Sequence, residues 1–191
     1  SNILEVKNLT KKFKDFTAVN SISFSVEKGE IFGLVGPNGA GKTTTIKILS
    51  TLLPPTSGSA NIGGFSVIKD AAKVRRLIGY VPQLLSADGS LTGYENLLVF
   101  AKLYDIPSED REKRIRDSLH FMGLSESANK LVKQYSGGMI RRLEIAQAVI
   151  HHPLILFLDE PTVGLDPLAR EGVWDYVQQL SDNGTTILLT T

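Results

Sequence analysis

The sequence predicts an α/β fold, and three observations carry that prediction. Apolar runs of strand length at residues 31–35 and 154–158 read as strands buried on both faces. Turn signals and then helical patterns follow each of them. A strand-rich frame is interrupted by helical texture from Leu91 to about Val149. A chain of 191 residues is long enough for one or two compact domains with a sizeable core.

Residues 3–7 and 22–26 alternate apolar and polar side chains, as half-buried strands do. Lys28-Gly29-Glu30 is a turn leading into the run at 31–35, and residues 43–53 read as a helix stopped by Pro54-Pro55. Short strands follow at 57–62 and 77–81. Thr92 and Glu95 form a capping box that opens a helix through Leu103. Ser108, followed by Glu109 and Asp110, opens a second helix, to about Met122, with Gly123 placed to stop it. Ser136 caps a third helix, to about Ile150, after which His151 and His152 suit a helix C-terminal dipole. Asp166-Pro167 is an N-cap with proline at the first helical position, and Asn183-Gly184 turns the chain into a last strand at 186–191.

Composition excludes several classes. With 42% hydrophobic and 21% charged residues, the chain is no disordered tail, collagen-like rod or coiled coil. Twenty-one basic residues against twenty acidic ones leave a net charge of +1, so no global field argues for nucleic acid as a partner. The absence of cysteine excludes disulfides and thiolate chemistry and fits a reducing compartment. No run of 18 apolar residues and no basic-then-apolar leader occurs in these residues.

The strongest chemical signal is Gly36-Pro37-Asn38-Gly39-Ala40-Gly41-Lys42-Thr43, the G-x-x-x-x-G-K-[ST] phosphate-binding P-loop, between a strand and a helix. Its glycines let backbone N–H groups line a nest for phosphate oxygens, and the following helix adds its positive end. Lys42 supplies a mobile charge for β- and γ-phosphates, and the Thr43 hydroxyl can ligate Mg²⁺. Asp159 ends an apolar strand, where P-loop proteins place a carboxylate that holds Mg²⁺, and Glu160 reads either as the base for an attacking water or as a solvated carboxylate. Ser136-Gly137-Gly138-Met139 puts two glycines into a first helical turn, at a cost of about 1 kcal/mol each relative to alanine. Bare amides there would suit an anion; otherwise the segment is a plain loop-to-helix junction.

P-loop, Tyr80-Val81-Pro82-Gln83, Ser136-Gly137-Gly138-Met139, Asp159-Glu160-Pro161-Thr162 and Gly164-Leu165-Asp166 occur in this order, and over residues 3–191 the chain resembles the ATP-binding subunit of an ABC transporter. The resemblance implies a P-loop NTPase core at 1–83 and 150–191, including an antiparallel β subdomain, with a helical subdomain inserted at 84–149. It implies ATP and Mg²⁺ as cofactors, with Thr43, Gln83 and Asp159 near the metal and residues 36–43 with Thr44 around the phosphates. Phe13 matches the aromatic that stacks on adenine, with Phe16 as the alternative. Glu160 matches the catalytic glutamate, Gln83 the glutamine that approaches the lytic water, and Asp166 an acid crossing a dimer interface. The family pairs head to tail around two ATPs, so Ser136, Gly137 and Gly138 would face the γ-phosphate held by the other copy's Lys42.

The signature reads YSGGM where LSGGQ is commonest, and Met139 cannot donate the hydrogen bonds of a glutamine. The family's histidine after the last strand has no match among His120, His151 and His152, so a chain cut short at Thr191, with slowed hydrolysis, is expected. The motifs are nearest the daunorubicin-resistance exporter type. That implies a cytoplasmic protein, peripheral on the membrane through a separate permease subunit, with Leu84, Leu85, Leu91 and Tyr94 as candidate docking residues. The alternatives are a non-transport ATPase of this superfamily, a small kinase or GTPase, and an ATP-sensing interaction module. Only 94 positions separate Lys42 from Ser136, too few for an inserted coiled coil, and residues 129–132 lack the Asp of a guanine motif.

Overall fold

A computed structural model describes residues 1–191 and resolves two four-stranded sheets and six α-helices. The strands are β1 (Asn2–Phe13), β2 (Phe16–Glu27), β3 (Ile31–Leu34), β4 (Ser57–Ile62), β5 (Phe65–Ser66), β6 (Ile78–Val81), β7 (Ile155–Asp159) and β8 (Thr186–Thr190). The helices are α1 (Lys42–Leu49), α2 (Ala71–Leu77), α3 (Gly93–Leu103), α4 (Ser108–Phe121), α5 (Gly137–Val149) and α6 (Pro167–Asp182). One sheet is antiparallel, in the order β2-β1-β4-β5; the other is parallel, in the order β3-β8-β7-β6. No helix is long and apolar enough to cross a membrane.

The parallel sheet is the wall between two cores. Along β7, Leu156 and Leu158 point into the larger core, while Ile155 and Phe157 point into the smaller one. This is why all five of its residues are buried and why its sequence is continuously apolar. The larger core is shared with the helices, through Leu97, Ile115, Leu143 and Val173, and so runs across residue 150. The smaller core joins the parallel sheet to β1, β4 and α1 through Leu4, Val6, Ile62 and Ile46.

The Thr92, Asp166 and Ser136 caps form as the sequence predicts. Thr92 Oγ1 accepts from the Glu95 amide at 3.0 Å, and Glu95 Oε1 accepts from the Thr92 amide at 2.9 Å. Asp166 Oδ1 accepts from the Ala169 amide at 2.8 Å, and Ser136 Oγ accepts from the Met139 amide at 3.2 Å.

Several elements differ from expectation, each for an identifiable reason. β1 and β2 run to 12 residues each, because left-handed Asn8 (φ 50°) and Ser21 (φ 49°) and the register shifts beside them break the alternation without ending the pairing. β3 is an edge strand rather than a strand buried on both faces: it pairs with β8 alone, Ile31 is 38% exposed and Val35 is 82% exposed. α1 stops at Leu49, ahead of left-handed Thr51 (φ 66°). α4 is capped by Pro107, and the Ser108 side chain makes no cap bond. α2 was not foreseen; only Val74 of its seven residues is buried, so it has almost no apolar stripe to read. His151 does not serve the helix dipole as a cation. Its Nε2 donates to the Ile78 carbonyl at 2.7 Å, its ring stacks on Tyr104, and burial holds its pKa below the usual histidine value.

Candidate nucleotide-binding site

The P-loop joins β3 to α1 and depends on backbone that glycine alone tolerates. Gly39 and Gly41 have φ of 84° and 85°, and a Cβ on Gly41 would lie 2.2 Å from the Ala18 carbonyl oxygen. Gly41 is also the N-cap of α1, so the loop meets the positive end of that helix. An open cleft of about 410 Å³ lies against it, a volume within the range of small-ligand sites. Asn38, Gly39, Gly41, Lys42, Thr43 and Thr44 line the cleft from the loop side. Gln83, from the segment after β6, and Glu160, from the tip of β7, line it from across.

Lys42 is the centre of the arrangement. Its Nζ donates to the Gly36 carbonyl at 2.6 Å and to the Thr191 carbonyl at 2.7 Å, and it pairs with Glu160 Oε1 at 3.2 Å. The two side chains are 10% and 18% exposed. Glu160 itself sits in left-handed backbone, φ 43°, a conformation that costs of order 1–3 kcal/mol and clusters at functional sites. Asp159, 1% exposed, lies at the buried end of β7 beneath that tip. Its Oδ1 accepts from Thr190 Oγ1 at 2.7 Å, and the same Thr190 oxygen accepts from the Glu160 amide at 2.9 Å. Thr190 thus fixes both acidic residues and was missed in the sequence; the available signal was a hydroxyl residue ending an otherwise apolar strand, buried beside the acidic tip. Asp159 also acts through space, helping burial raise the Tyr80 pKa above its usual value.

Of the remaining candidate residues only Phe16 lines the cleft. Ser136 is exposed at the start of α5, and neither it, Gly137, Gly138 nor Asp166 lines the cleft that holds Lys42. The two glycines have a packing reason of their own: a Cβ on Gly137 would stand 3.1 Å from Leu165 Cδ2, and one on Gly138 3.1 Å from Ala169 Cβ. The bare helix end therefore lies against the start of α6. Met139 packs against the larger core. The aromatic that lines the cleft is Phe16, 60% exposed, with Ala18 beside it. Phe13 is its direct cross-strand partner in the β1–β2 hairpin, which places the two rings on one face, and the Lys11 ammonium lies 5.2 Å from the Phe13 ring centre. Of the candidate docking residues, Leu84 and Leu85 are exposed, at 80% and 49%. Leu91 is half-buried, and Tyr94 packs on the larger core and donates its hydroxyl hydrogen bond to Glu112.

A glycine nest at a helix N-terminus, a lysine inside it and two acids at the end of a neighbouring parallel strand define a P-loop NTPase fold. Residues 19–163 match the family described as ABC transporter, and the chain belongs to that family. It is 43% identical over 188 residues to the linearmycin resistance ATP-binding protein of Bacillus subtilis, covering 98% of this chain and 60% of that one. It is 44% identical to the daunorubicin/doxorubicin resistance ATP-binding protein of Streptomyces peucetius (98% and 57% covered) and 42% identical to the Nod factor export ATP-binding protein I of Ralstonia nicotianae (99% and 59% covered). The chain thus spans somewhat under two thirds of the length of these relatives. A solved ATP-binding subunit of an ABC transporter superposes with a TM-score of 0.84 at 31% identity, covering 99% of this chain and 79% of that one. The ADP conformation of another ATP-binding cassette superposes at 0.87 and 28% identity, covering 100% and 81%.

Proposed function

We propose that the protein binds ATP with Mg²⁺ and hydrolyses it to ADP and phosphate, and that two copies closing around two ATPs power export of a substrate through a separate membrane permease. The observation that carries the reading is the Lys42–Glu160 pair, a phosphate-binding cation held 3.2 Å from a candidate base inside a glycine-lined cleft. Three relatives named for resistance or export support the direction of transport. In this reading residues 1–83 and 150–191 form the nucleotide-binding core, and residues 84–149 the helical subdomain.

The residues present suit Mg²⁺. The Thr43 hydroxyl, the Asp159 carboxylate and the Gln83 amide are hard oxygen donors, and the one side-chain hydrogen bond to Asp159 engages Oδ1 alone. Bound there with ATP, the ion would offset negative charge on the β- and γ-phosphates. Backbone N–H groups of residues 38–43 hold the phosphates, and Lys42 exchanges Glu160 for a phosphate oxygen. That exchange releases Glu160 to take the proton of the attacking water, with Gln83 orienting the water from the far wall. The Ser136-Gly137-Gly138 helix end and Asp166 meet the nucleotide of the other copy. ATP then joins two positive helix ends, and loss of the γ-phosphate loosens them. Leu84 and Leu85 are the apolar contacts offered to the permease.

The test is MgATP binding and turnover by the purified protein, alone and with Lys42→Ala. Binding and turnover are expected in the parent, with binding weakened by about 100-fold or more in the variant, as loss of a charge-assisted phosphate contact requires. Equal affinity in the two proteins would overturn the reading.

The hairpin tip supplies a second test. Phe13, which the family pattern assigns to adenine, stands on the same face as Phe16. Phe13→Ala is expected to weaken ATP binding by about 5–30-fold, the effect of losing ~1–2 kcal/mol of base stacking, and to leave binding of inorganic triphosphate unchanged. If Phe16→Ala shows that pattern instead, Phe16 is the stacking ring.

A further inference from the structure

We propose that Arg141 and Glu144, a buried ion pair on α5, are positioning residues for Gln83. They clamp the loop after β6 at both ends and tie it to the helix that opens at Ser136. The proposal rests on the ATPase reading above, because Gln83 matters only if the cleft does chemistry.

Charged residues on a helix ordinarily face water, but these two side chains are 1% and 2% exposed and pair at 3.1 Å. Such a pair is expensive to desolvate and is weak evidence of a purely stabilising role, so what it holds is informative. Its other bonds all reach one loop, and nearly all reach backbone. The two Nη atoms of Arg141 donate to the Pro82 carbonyl at 2.7 Å and the Gln83 carbonyl at 2.6 Å. Glu144 Oε2 accepts from the Ser86 amide, from Ser86 Oγ at 3.0 Å and from the Ala87 amide at 3.2 Å. Residues 82–87 belong to no helix or strand, so no regular ladder would hold them otherwise.

The clamp leaves two things free. Gln83 lines the same cleft as Lys42 and Glu160, and Leu84 and Leu85 project into solvent between the two anchored ends. A push on those leucines therefore moves Gln83 and α5 together. The pair also lies within electrostatic reach of the site: burial lowers the Arg141 pKa from its ordinary value, and both Glu144 and Asp159 oppose that shift.

The experiment is steady-state ATP hydrolysis by the full-length protein carrying Glu144→Gln, which keeps the shape of the side chain and removes its charge. A paired variant, Arg141→Met with Glu144→Leu, leaves no unpaired buried charge and guards against simple misfolding; the near-UV signal of Trp174 reports the fold in each. Both are expected to lower kcat by about tenfold, the cost of a displaced catalytic group, with KM for ATP within about twofold of the parent. In a Gln83→Ala background the same changes are expected to cost less than twofold further, because the residue they position is gone. A lowered melting temperature with unchanged kcat, or a full tenfold loss in the Gln83→Ala background, would overturn the proposal. A parent protein that turns over no ATP would instead overturn the ATPase reading. Hydrogen exchange at the Ser86 and Ala87 amides then tests the clamp: exchange at least tenfold faster in Glu144→Gln supports it, and unchanged exchange overturns it.

Discussion

Glu160→Gln is expected to cut ATP turnover by about 100-fold or more while ATP binding is kept or strengthened. The first effect follows from chemistry: glutamine keeps the shape but cannot accept a proton from water, and a positioned general base is worth roughly 100- to 10,000-fold, or ~3–5 kcal/mol of barrier. The second follows from the resting geometry. Glu160 pairs with Lys42 at 3.2 Å, with both side chains largely buried, so an incoming γ-phosphate must compete with a carboxylate for the same ammonium. Neutralising that carboxylate removes the competitor and also a like charge facing the phosphate. ATP affinity is therefore expected to rise by about 2–10-fold, as the loss of a partly screened charge pair allows. The variant should also accumulate a dimer with ATP that the parent forms only transiently, since the charge joining the two copies is no longer removed. Turnover by isotope-labelled phosphate release, affinity by titration and size by light scattering check the three parts. Turnover near the parent rate would remove Glu160 from the role of base. Weaker binding would show that the Lys42–Glu160 pair orders the cleft rather than obstructing it.

What was legible in the sequence was what local chemistry dictates. The Thr92–Glu95 box and the Asp166 cap each answer a requirement met within a few residues, and each forms as read. What was not legible depends on partners distant in the chain. The apolar run at β3 is like that at β7, yet β3 lies at a sheet edge and β7 between two neighbours, and no local pattern records the strand order. Nothing local to the helix that opens at Ser136 marks Arg141 and Glu144 as buried; their hydrogen bonds go to a loop more than fifty residues earlier. Thr190 looks like an ordinary strand residue until β8 is laid beside β7 and its hydroxyl meets Asp159 and Glu160. The two glycines after Ser136 were read as an anion site or a plain helix start. The packing of α5 on Leu165 and Ala169 gives them a further reason that only the fold supplies.

Gly41→Ala is expected to be the most damaging single-methyl change in the loop, and comparison with Gly39→Ala separates its two causes. Both glycines have φ near 85°, so alanine at either position incurs the left-handed penalty of about 1–2 kcal/mol. Around Gly39 nothing lies within 4 Å of the added methyl, so that penalty is the whole effect on stability. At Gly41 the methyl would stand 2.2 Å from the Ala18 carbonyl oxygen and 3.4 Å from Val19, and backbone cannot swing aside as a side chain can. Overpacking of this kind adds about 1–3 kcal/mol, for a total of roughly 2–5 kcal/mol. At ~2–4 °C per kcal/mol for a chain of this size, Gly41→Ala is expected to melt about 4–20 °C below the parent, and Gly39→Ala about 2–8 °C below. Function should separate them further. The clash at Gly41 displaces the N-cap of α1 against β2, moving Lys42 and Thr43 with it, whereas Gly39 sits at the open tip of the loop. ATP affinity is therefore expected to fall by about 100-fold or more in Gly41→Ala and by considerably less in Gly39→Ala. Calorimetry and nucleotide titration on the two variants decide the matter. Equal losses in both would mean that left-handed backbone alone, and not the close approach of β2, sets the requirement for glycine at the start of α1.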